Sequence, residues 1–412
     1  MTVLAAIAIS PEKFLAIVGA AAIAGAIAAV VKFGDVVIPV VVLELVAGVV
    51  IGPNVLGLHT TPFISFFSSI GLGMLFFFAG YEIDLRRISG APMRLALLGW
   101  AVSLAIAYTV GGVLAAAGVV LSLLYTGSAL ATTAIGTLIP ILSDNGLLEG
   151  SLGTYLLAAG AVGEFGPVVL VTLVLSAEDT LHNALILLAF MAVVVAVGVL
   201  TLRSSRITLP LLERTLESSS QLAIRWVLVL VFALALLAYQ LGLELLLGGF
   251  AAGVIVRRLL ADHELPAFDS KLSAIAFGVF VPFFFVVSGM KLDVSALFDS
   301  AGGVAKLVLF LALFFVVRGV PALLLYRSVL DGRKRAALAF FSSTQLPLVV
   351  AITSLATADG HMRPSTAAAL VGAAAISTLV FPILGLRAAT REPVSVAEAA
   401  SLQAGESTAA SA

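Results

Sequence analysis

Two acidic residues stand deep inside apolar stretches of the chain: Glu44, which we interpret as structural, and Glu164. Glu164 lies near the middle of the stretch 151–176, within the segment AAGAVGEFGPVVL. If this stretch spans a bilayer, an ionised side chain at its centre costs about 2.5–3.5 kcal/mol or more, so an acid there needs a function or a partner. Gly163, Gly166 and Pro167 flank it, and they loosen a helix and free backbone carbonyls. The pattern predicts a carboxylate that binds a proton and a cation in turn. The alternative is a structural acid that is kept neutral or paired.

One basic residue is also placed within an apolar stretch. Arg318 lies midway along the stretch 302–326, in FFVVRGVPALLLY. Because a guanidinium keeps its proton in proteins, Arg318 supplies a fixed positive charge and five donors but cannot carry a proton across a membrane. We expect it to compensate the charge of a site carboxylate or to hold the carbonyls of broken helices. A purely structural salt bridge is the alternative, and the sequence leaves open whether the partner is Glu164.

Two clusters of hydroxyl residues lie within apolar stretches. The segment TGSALATTAIGTLIPIL (126–142) contains Thr132 and Thr133, and FFSSTQLPLVV (340–350) contains Ser342 and Ser343. Hydroxyls beside glycine or proline indicate interrupted helices whose free ends face each other, and helix ends stabilise ions. We therefore predict that these four residues join Glu164 in an ion- and proton-binding site. For any one of the four, helix packing or a bond to its own helix is the alternative.

The composition is that of a membrane protein. The 412 residues are 61% hydrophobic and 11% charged, with a mean hydropathy of +1.19, whereas soluble domains carry about 25% charged residues. This excludes a soluble enzyme, and a net charge of −1 gives no field that would attract nucleic acid. Because the chain contains no cysteine, disulfides and thiolate metal sites are excluded. We expect no cofactor and no enzymatic activity, since no nucleophile constellation or metal-ligand spacing is found.

Thirteen apolar stretches, most of them close to the length of about 20 residues that crosses hydrocarbon, predict an all-α integral membrane protein. They run over residues 14–31, 36–51, 63–81, 94–118, 120–142, 151–176, 181–202, 222–239, 242–256, 272–290, 302–326, 336–356 and 365–386. Most basic residues fall in one set of alternate loops, and only Lys13, Lys291, Lys306 and Arg363 fall in the other. The positive-inside rule then predicts that the amino terminus (1–13) is outside and that a disordered tail (387–412) is cytoplasmic.

Two short motifs recur seven stretches apart. Residues 80–84 (GYEID) align with 289–293 (GMKLD), and AGVVIG (47–52) aligns with AGVIVR (252–257). An odd offset reverses the direction of crossing, so the pattern predicts two inverted six-helix repeats, a layout typical of secondary transporters. The repeats cover about 14–176 and 222–386, with 181–202 as a linker helix and 204–221 as a short amphipathic helix at the cytoplasmic interface. Glu82 is expected at the cytoplasmic end of the third stretch and is not assigned to the site.

The chain resembles the monovalent cation:proton antiporters, the branch that contains the Kef-like and sodium/proton exchangers. The resemblance covers about 14–386, and its markers are ELVAGVVIGPNVLGL (44–58), GLGMLFFFAGYEIDL (71–85), ALATTAIGTLIPIL (129–142), LGGFAAGV (247–254) and FVPFFFVVSGMKLD (280–293). It implies a core domain with two crossed, partly unwound helices that moves against a dimerisation domain in a homodimer. The unwound positions would be 132–133 and 342–345. Family members commonly have paired acids, or Asn then Asp, in the sixth span, where this chain has Gly163-Glu164.

The resemblance implies exchange of a monovalent cation, sodium or potassium, for protons across the cell membrane by alternating access. If Glu164 alone alternates between the two ions while Arg318 keeps its charge, exchange is one for one and electroneutral. A sodium-coupled symporter of an organic solute on the same fold is the alternative, although it needs more polar ligands than the sequence offers.

Overall fold

The protein is helical almost throughout. The computed structural model describes residues 10–30, 32–33, 36–37, 39–83, 85–174, 180–216, 218, 220–243, 245–260, 265–298 and 301–389. In the described part, ten segments are long and apolar enough to cross a membrane, and Val40–Ile51 and Leu123–Ile139 are shorter apolar helical segments. This confirms a multi-pass all-α membrane protein. Each of the thirteen predicted stretches coincides with a helix or a pair of helices, but the number of crossings stays a prediction.

The helices follow one another with short connections. The first half contains α1 (Pro11–Val30), α2 (Val40–Ile51), α3 (Pro62–Tyr81), α4 (Leu85–Ile88), α5 (Ala91–Ala116), α6 (Leu123–Leu130), α7 (Ile135–Asp144) and α8 (Ser151–Val174). Between α1 and α2, two short antiparallel strands, β1 (Lys32–Phe33) and β2 (Val36–Val37), pair Lys32 with Val37. A long helix, α9 (Thr180–Leu216), leads to the second half.

The second half contains α10 (Leu222–Gln240), α11 (Leu245–Leu259), α12 (Pro266–Ile275), α13 (Val281–Lys291), α14 (Ser295–Phe298), α15 (Ala301–Phe314), α16 (Val320–Leu325), α17 (Gly332–Ser342), α18 (Pro347–Ala358) and α19 (Pro364–Ala389). A π-helical turn at Ala276–Phe280 joins α12 to α13, and another at Phe315–Gly319 joins α15 to α16. Such turns often occur at functional sites, and the second one contains Arg318.

The helix α9 runs further than the composition suggests. The predicted linker ends at 202, yet the helix continues without a break to Leu216, so no separate amphipathic helix begins at 204. Polar residues alone do not end a helix, and the helix passes through the polar segment as far as Leu216. The predicted outer terminus (1–13) and tail (387–412) lie mostly outside the described residues, although α19 reaches Ala389.

Glycines bring two pairs of helices into backbone contact. A Cβ atom at Gly48 of α2 would lie 2.0 Å from the Val286 carbonyl oxygen, and one at Gly289 of α13 would lie 2.1 Å from the Leu45 oxygen. In the same way, a Cβ atom at Gly80 of α3 would lie 2.2 Å from the Phe250 carbonyl oxygen, and one at Gly253 of α11 would lie 2.0 Å from the Phe77 oxygen. These four glycines belong to the two recurring motifs. The reciprocal pairing, α2 with α13 and α3 with α11, is the one that an inverted repeat requires, and the repeat itself stays a prediction.

The helices pack as two bodies. The scaffold body consists of α1 to α3 and α10 to α13, which contact one another through the glycine pairs. The core body consists of α5 to α8 and α15 to α19, with α17 packed on α19 and α5 packed on α6 and α8. Across the boundary, α3 and α7, α8 and α11, and α13 and α18 touch one another. The two interrupted helices therefore belong to the same body.

Candidate functional site

Two interrupted helices cross in the core body. The first breaks over 131–134, between α6 and α7, and the second over 343–346, between α17 and α18. Proline at the first position of α18 has no N–H for the preceding turn, which favours a break there. Both breaks fall where the hydroxyl clusters predicted them.

Hydrogen bonds between the two breaks satisfy the backbone groups that the interruptions free. Thr132 Oγ1 donates to Gln345 Oε1 at 2.9 Å, and Gln345 Nε2 donates to the Leu130 carbonyl at 3.0 Å. The Ala134 N–H donates to the Thr344 carbonyl at 2.8 Å. Because all these groups are buried, each bond avoids the cost of an unsatisfied polar group in an apolar interior.

Arg318 joins the crossing to α8. It is 4% exposed, and its Nε donates to Thr133 Oγ1 at 2.9 Å while Nη2 donates to the Ala159 carbonyl at 3.1 Å. Thr133 Oγ1 in turn donates to the Ser342 carbonyl at 2.7 Å. No carboxylate among the described residues forms an ion pair with Arg318. Of the two roles expected for it, the contacts match that of holding groups of the broken helices.

Gly163 makes room for this guanidinium. A Cβ atom at position 163 would lie 2.6 Å from Arg318 Nη2 and 2.8 Å from Thr133 Oγ1. Any side chain at this position would therefore displace Arg318 from its place. Glycine at position 163 therefore leaves the guanidinium its room.

Glu164 receives the end of an interrupted helix. The N–H of Ile135, the first residue of α7, donates to Glu164 Oε1 at 3.0 Å. The positive end of the helix dipole stabilises an anion at this position. The other carboxylate oxygen, Oε2, is buried and has no hydrogen-bond partner in the part of the chain that the structure describes. Glu164 is 6% exposed, so the protein holds one oxygen of a buried carboxylate.

A cavity of about 450 Å³ lies next to this carboxylate, between the two bodies. The core body contributes Glu164, Gly136, Thr137 and Pro347, and the scaffold body contributes apolar residues from α1, α2, α3 and α13 together with Glu82. The lining includes Ala28, Val40 and Glu82, which stand where α1 ends, α2 begins and α3 ends. This end of the bundle is called the α3 end below, and the cavity extends from Glu164 towards it.

The structure separates the predicted site residues into two groups. Glu164 lines the cavity, whereas Thr132, Thr133, Ser342 and Ser343 do not; they lie behind it in the crossing. The Ser343 hydroxyl bonds to the carbonyl of its own helix at Ala339, while Ser342 Oγ is buried and has no partner among the residues that the structure describes.

The sequence analysis did not place Glu82 near Glu164, yet Glu82 lines the same cavity. Thr137 and Gln345 lie within the two polar segments but were not predicted as ion ligands; Thr137 lines the cavity, and Gln345 bonds to Thr132 and to the Leu130 carbonyl of the other interrupted helix. The available signal for Glu82 was an acid that directly follows the apolar run FFFAGY, with no basic residue beside it.

Comparison with known proteins identifies the family. The model of the family described as "Sodium/hydrogen exchanger, transmembrane" matches residues 18–386, which confirms the resemblance seen in the motifs. The chain is 26% identical over 368 residues to the putative Na(+)/H(+) antiporter YjbQ of Bacillus subtilis, covering 84% of this chain and 58% of that relative. It is 27% identical over 287 residues to the Na(+)/H(+)-K(+) antiporter GerN of Bacillus cereus, covering 68% of this chain and 71% of the relative.

A solved structure shares the fold. The sodium proton antiporter MjNhaP1 from Methanocaldococcus jannaschii superposes with a TM-score of 0.66 over 95% of this chain and 99% of that one, at 18% identity. At this identity the likeness concerns the fold alone. The match of the family model over most of the length carries the assignment: the chain belongs to the sodium/hydrogen exchanger family of transmembrane proteins.

Proposed function

We propose that the protein exchanges a monovalent cation, sodium or potassium, for protons across the cell membrane. The observation that carries the proposal is the state of Glu164: the α7 N–H holds one oxygen, and the other, beside a cavity, has no hydrogen-bond partner among the described residues. The relatives named above are antiporters by name, which does not favour the alternative of an organic-solute symporter. The cavity lining, which is mostly apolar, offers few groups that could recognise such a solute.

A single carboxylate oxygen can serve both ions in turn. A proton on Glu164 Oε2 neutralises the carboxylate in its apolar surroundings, and a cation beside the same oxygen neutralises it equally. Because the two ions compete for one charge, binding of one expels the other. Thr137, which lines the cavity beside Glu164, adds a hydroxyl oxygen for the cation.

Alternating access requires a second path from Glu164 to the opposite side. A second cavity of about 190 Å³ lies between the same two bodies, lined by Leu72 and Leu245 of the scaffold body and by Val168 of the core body. Leu348 lines both cavities and so stands between them. In our proposal the core body slides against the scaffold body, as an elevator does, and carries Glu164 from the first cavity to the second.

The contacts within each body are compatible with movement of the core body against the scaffold body. The glycine pairs lie within the scaffold body, and the bonds of Arg318, Thr133 and Gln345 lie within the core body. Movement of one body against the other therefore leaves the glycine contacts and the hydrogen bonds intact. Thr132, Thr133, Ser342 and Ser343 then support the ion site from behind, and Arg318 supplies a fixed positive charge that moves with it.

The exchange in this proposal is one for one and electroneutral, because Glu164 binds either one proton or one cation while Arg318 keeps its proton. The test uses purified protein in liposomes with a pH-sensitive dye inside. Adding sodium or potassium outside should move protons in the wild type and should not in Glu164→Gln. The control Glu149→Gln removes an exposed acid in the α7–α8 connection and should behave as the wild type. Unchanged activity of Glu164→Gln, or a sodium-driven current on a supported membrane, would contradict the proposal.

The orientation and the homodimer remain part of the proposal. The α3 end is taken as cytoplasmic, with the amino terminus outside. Since the chain has no cysteine, single substitutions can report the orientation without further engineering. A membrane-impermeant maleimide added to intact cells should label His59→Cys, in the exposed α2–α3 connection, and should not label Ser89→Cys, which is exposed after α4. The reverse pattern would invert the topology.

A further inference from the structure

Glu82 faces the same cavity as Glu164 from the opposite body. It directly follows the last residue of α3 and lines the cavity together with Glu164. Its Oε2 atom comes within 3.4 Å of where a Cβ atom at Gly136 would lie, and Gly136 follows Ile135, whose N–H binds Glu164. Both carboxylates therefore reach neighbouring residues at the start of α7.

Each of these carboxylates has an oxygen that the protein leaves unused. Glu82 Oε2 and Glu164 Oε2 are both buried, and neither has a hydrogen-bond partner among the described residues. Among the same residues no basic side chain forms an ion pair with either of them. Two carboxylates that share an apolar cavity cannot both stay ionised without a cation between them. The pair therefore holds a proton or a cation.

The two carboxylates belong to different bodies. Glu164 is in the core body, but α3 packs mainly on α11 and α13 of the scaffold body and only touches α7. If the core body carries Glu164 across, Glu82 stays at the α3 end. The aligned position in the second repeat is Lys291, at the end of α13 and exposed. The equivalent places of the two repeats thus have opposite charges.

We propose that Glu82 is a stationary relay carboxylate, which passes protons and cations between water at the α3 end and Glu164. This rests on the proposed function and deepens it. Among the described residues that line the cavity, the charged ones are Glu82, at the α3 end, and Glu164. A carboxylate on the way lowers the cost of bringing a cation into apolar surroundings. Because Lys291 stands in its place at the other end, the effect is confined to one side of the membrane.

The test compares the two sides of the membrane. Sodium-driven proton movement is measured in everted and in right-side-out vesicles, whose orientation is fixed by labelling Ser89→Cys. Glu82→Gln should raise the half-saturating sodium concentration at least tenfold when sodium is added at the α3 end, and less than twofold when it is added at the opposite end. Glu82→Asp keeps the charge and should change it by only a few-fold. Glu149→Gln, an exposed acid at the α3 end, should leave both values unchanged.

Each outcome decides between the two proposals. If Glu82→Gln matches the wild type at the α3 end, or shifts both sides equally, the relay is refuted. If the wild type moves no protons, or Glu164→Gln is fully active, the proposed function fails and the relay fails with it. Should Glu82→Gln not accumulate as a monodisperse protein, Glu82→Ala, which also removes the carboxylate, decides: a one-sided shift supports the relay, and wild-type behaviour or an equal shift on both sides overturns it.

Discussion

Replacing Gly163 by alanine should destabilise the core body by displacing Arg318. The new Cβ atom would lie 2.6 Å from Nη2, and ordinary contact begins at 3.4 Å, so the guanidinium has to move. Its bonds to the Ala159 carbonyl and Thr133 Oγ1, now 3.1 and 2.9 Å, would be lost or stretched. Hydrogen bonds of a charged donor contribute about 1.5–3 kcal/mol each. Because alanine gains about 1 kcal/mol over glycine inside a helix, the net loss should be about 2–5 kcal/mol.

The assay is unfolding of the purified protein in detergent, followed by tryptophan fluorescence. Gly112→Ala is the matched control, because Gly112 also lies inside a long helix and nothing stands within 4 Å of its added Cβ atom. It should be neutral or slightly stabilising. If Gly163→Ala proves as stable as Gly112→Ala, Arg318 does not need the space that Gly163 provides, and the steric account of this position is wrong.

Three further changes test other parts of the account. Gln345→Leu leaves the Leu130 carbonyl and the Thr132 hydroxyl unpaired and should cost about 2–4 kcal/mol in the same unfolding assay. Ala79→Phe fills the cavity from the scaffold side and should reduce sodium-driven proton movement in liposomes at least tenfold while the melting temperature stays within a few degrees. Asp331 accepts the N–H groups of Arg333 and Lys334 at the start of α17, so Asp331→Ala should lower stability by about 1 kcal/mol without affecting transport. The Lys334 N–H lowers the pKa of Asp331 from 3.8; the cap therefore stabilises above that pH, and its contribution is lost as the pH falls through the lower folded value.

The interrupted helices were predictable from local sequence. Hydroxyls next to glycine or proline inside an apolar stretch need partners that a continuous helix does not supply, and both clusters do break their helices. Their partners were not predictable, because Thr132 and Gln345 are 213 residues apart. Of the four hydroxyls predicted as ion ligands, those of Thr132 and Thr133 bond to the other interrupted helix, and that of Ser343 bonds to its own helix. Only the three-dimensional crossing shows which oxygens are already used.

The position of an acid along its apolar stretch predicted the burial of Glu164 but not that of Glu82. Glu164 stands in the middle of its stretch, and the structure places it beside a cavity. Glu82 stands at a helix end, where an acid is expected to be solvated. It is nevertheless turned inward, with a buried oxygen, because α7 begins opposite it. Which way a terminal side chain points depends on the neighbouring body, and no periodicity in the sequence reports that.

The competition of one proton with one cation at Glu164 is tested most directly by proton release. Sodium or potassium is added to the purified protein in weakly buffered detergent solution, and the protons released are counted against the cations bound. The wild type should release close to one proton for each cation, and Glu164→Gln should release none. Cation binding without proton release in the wild type, or equal release from Glu164→Gln, would contradict the account.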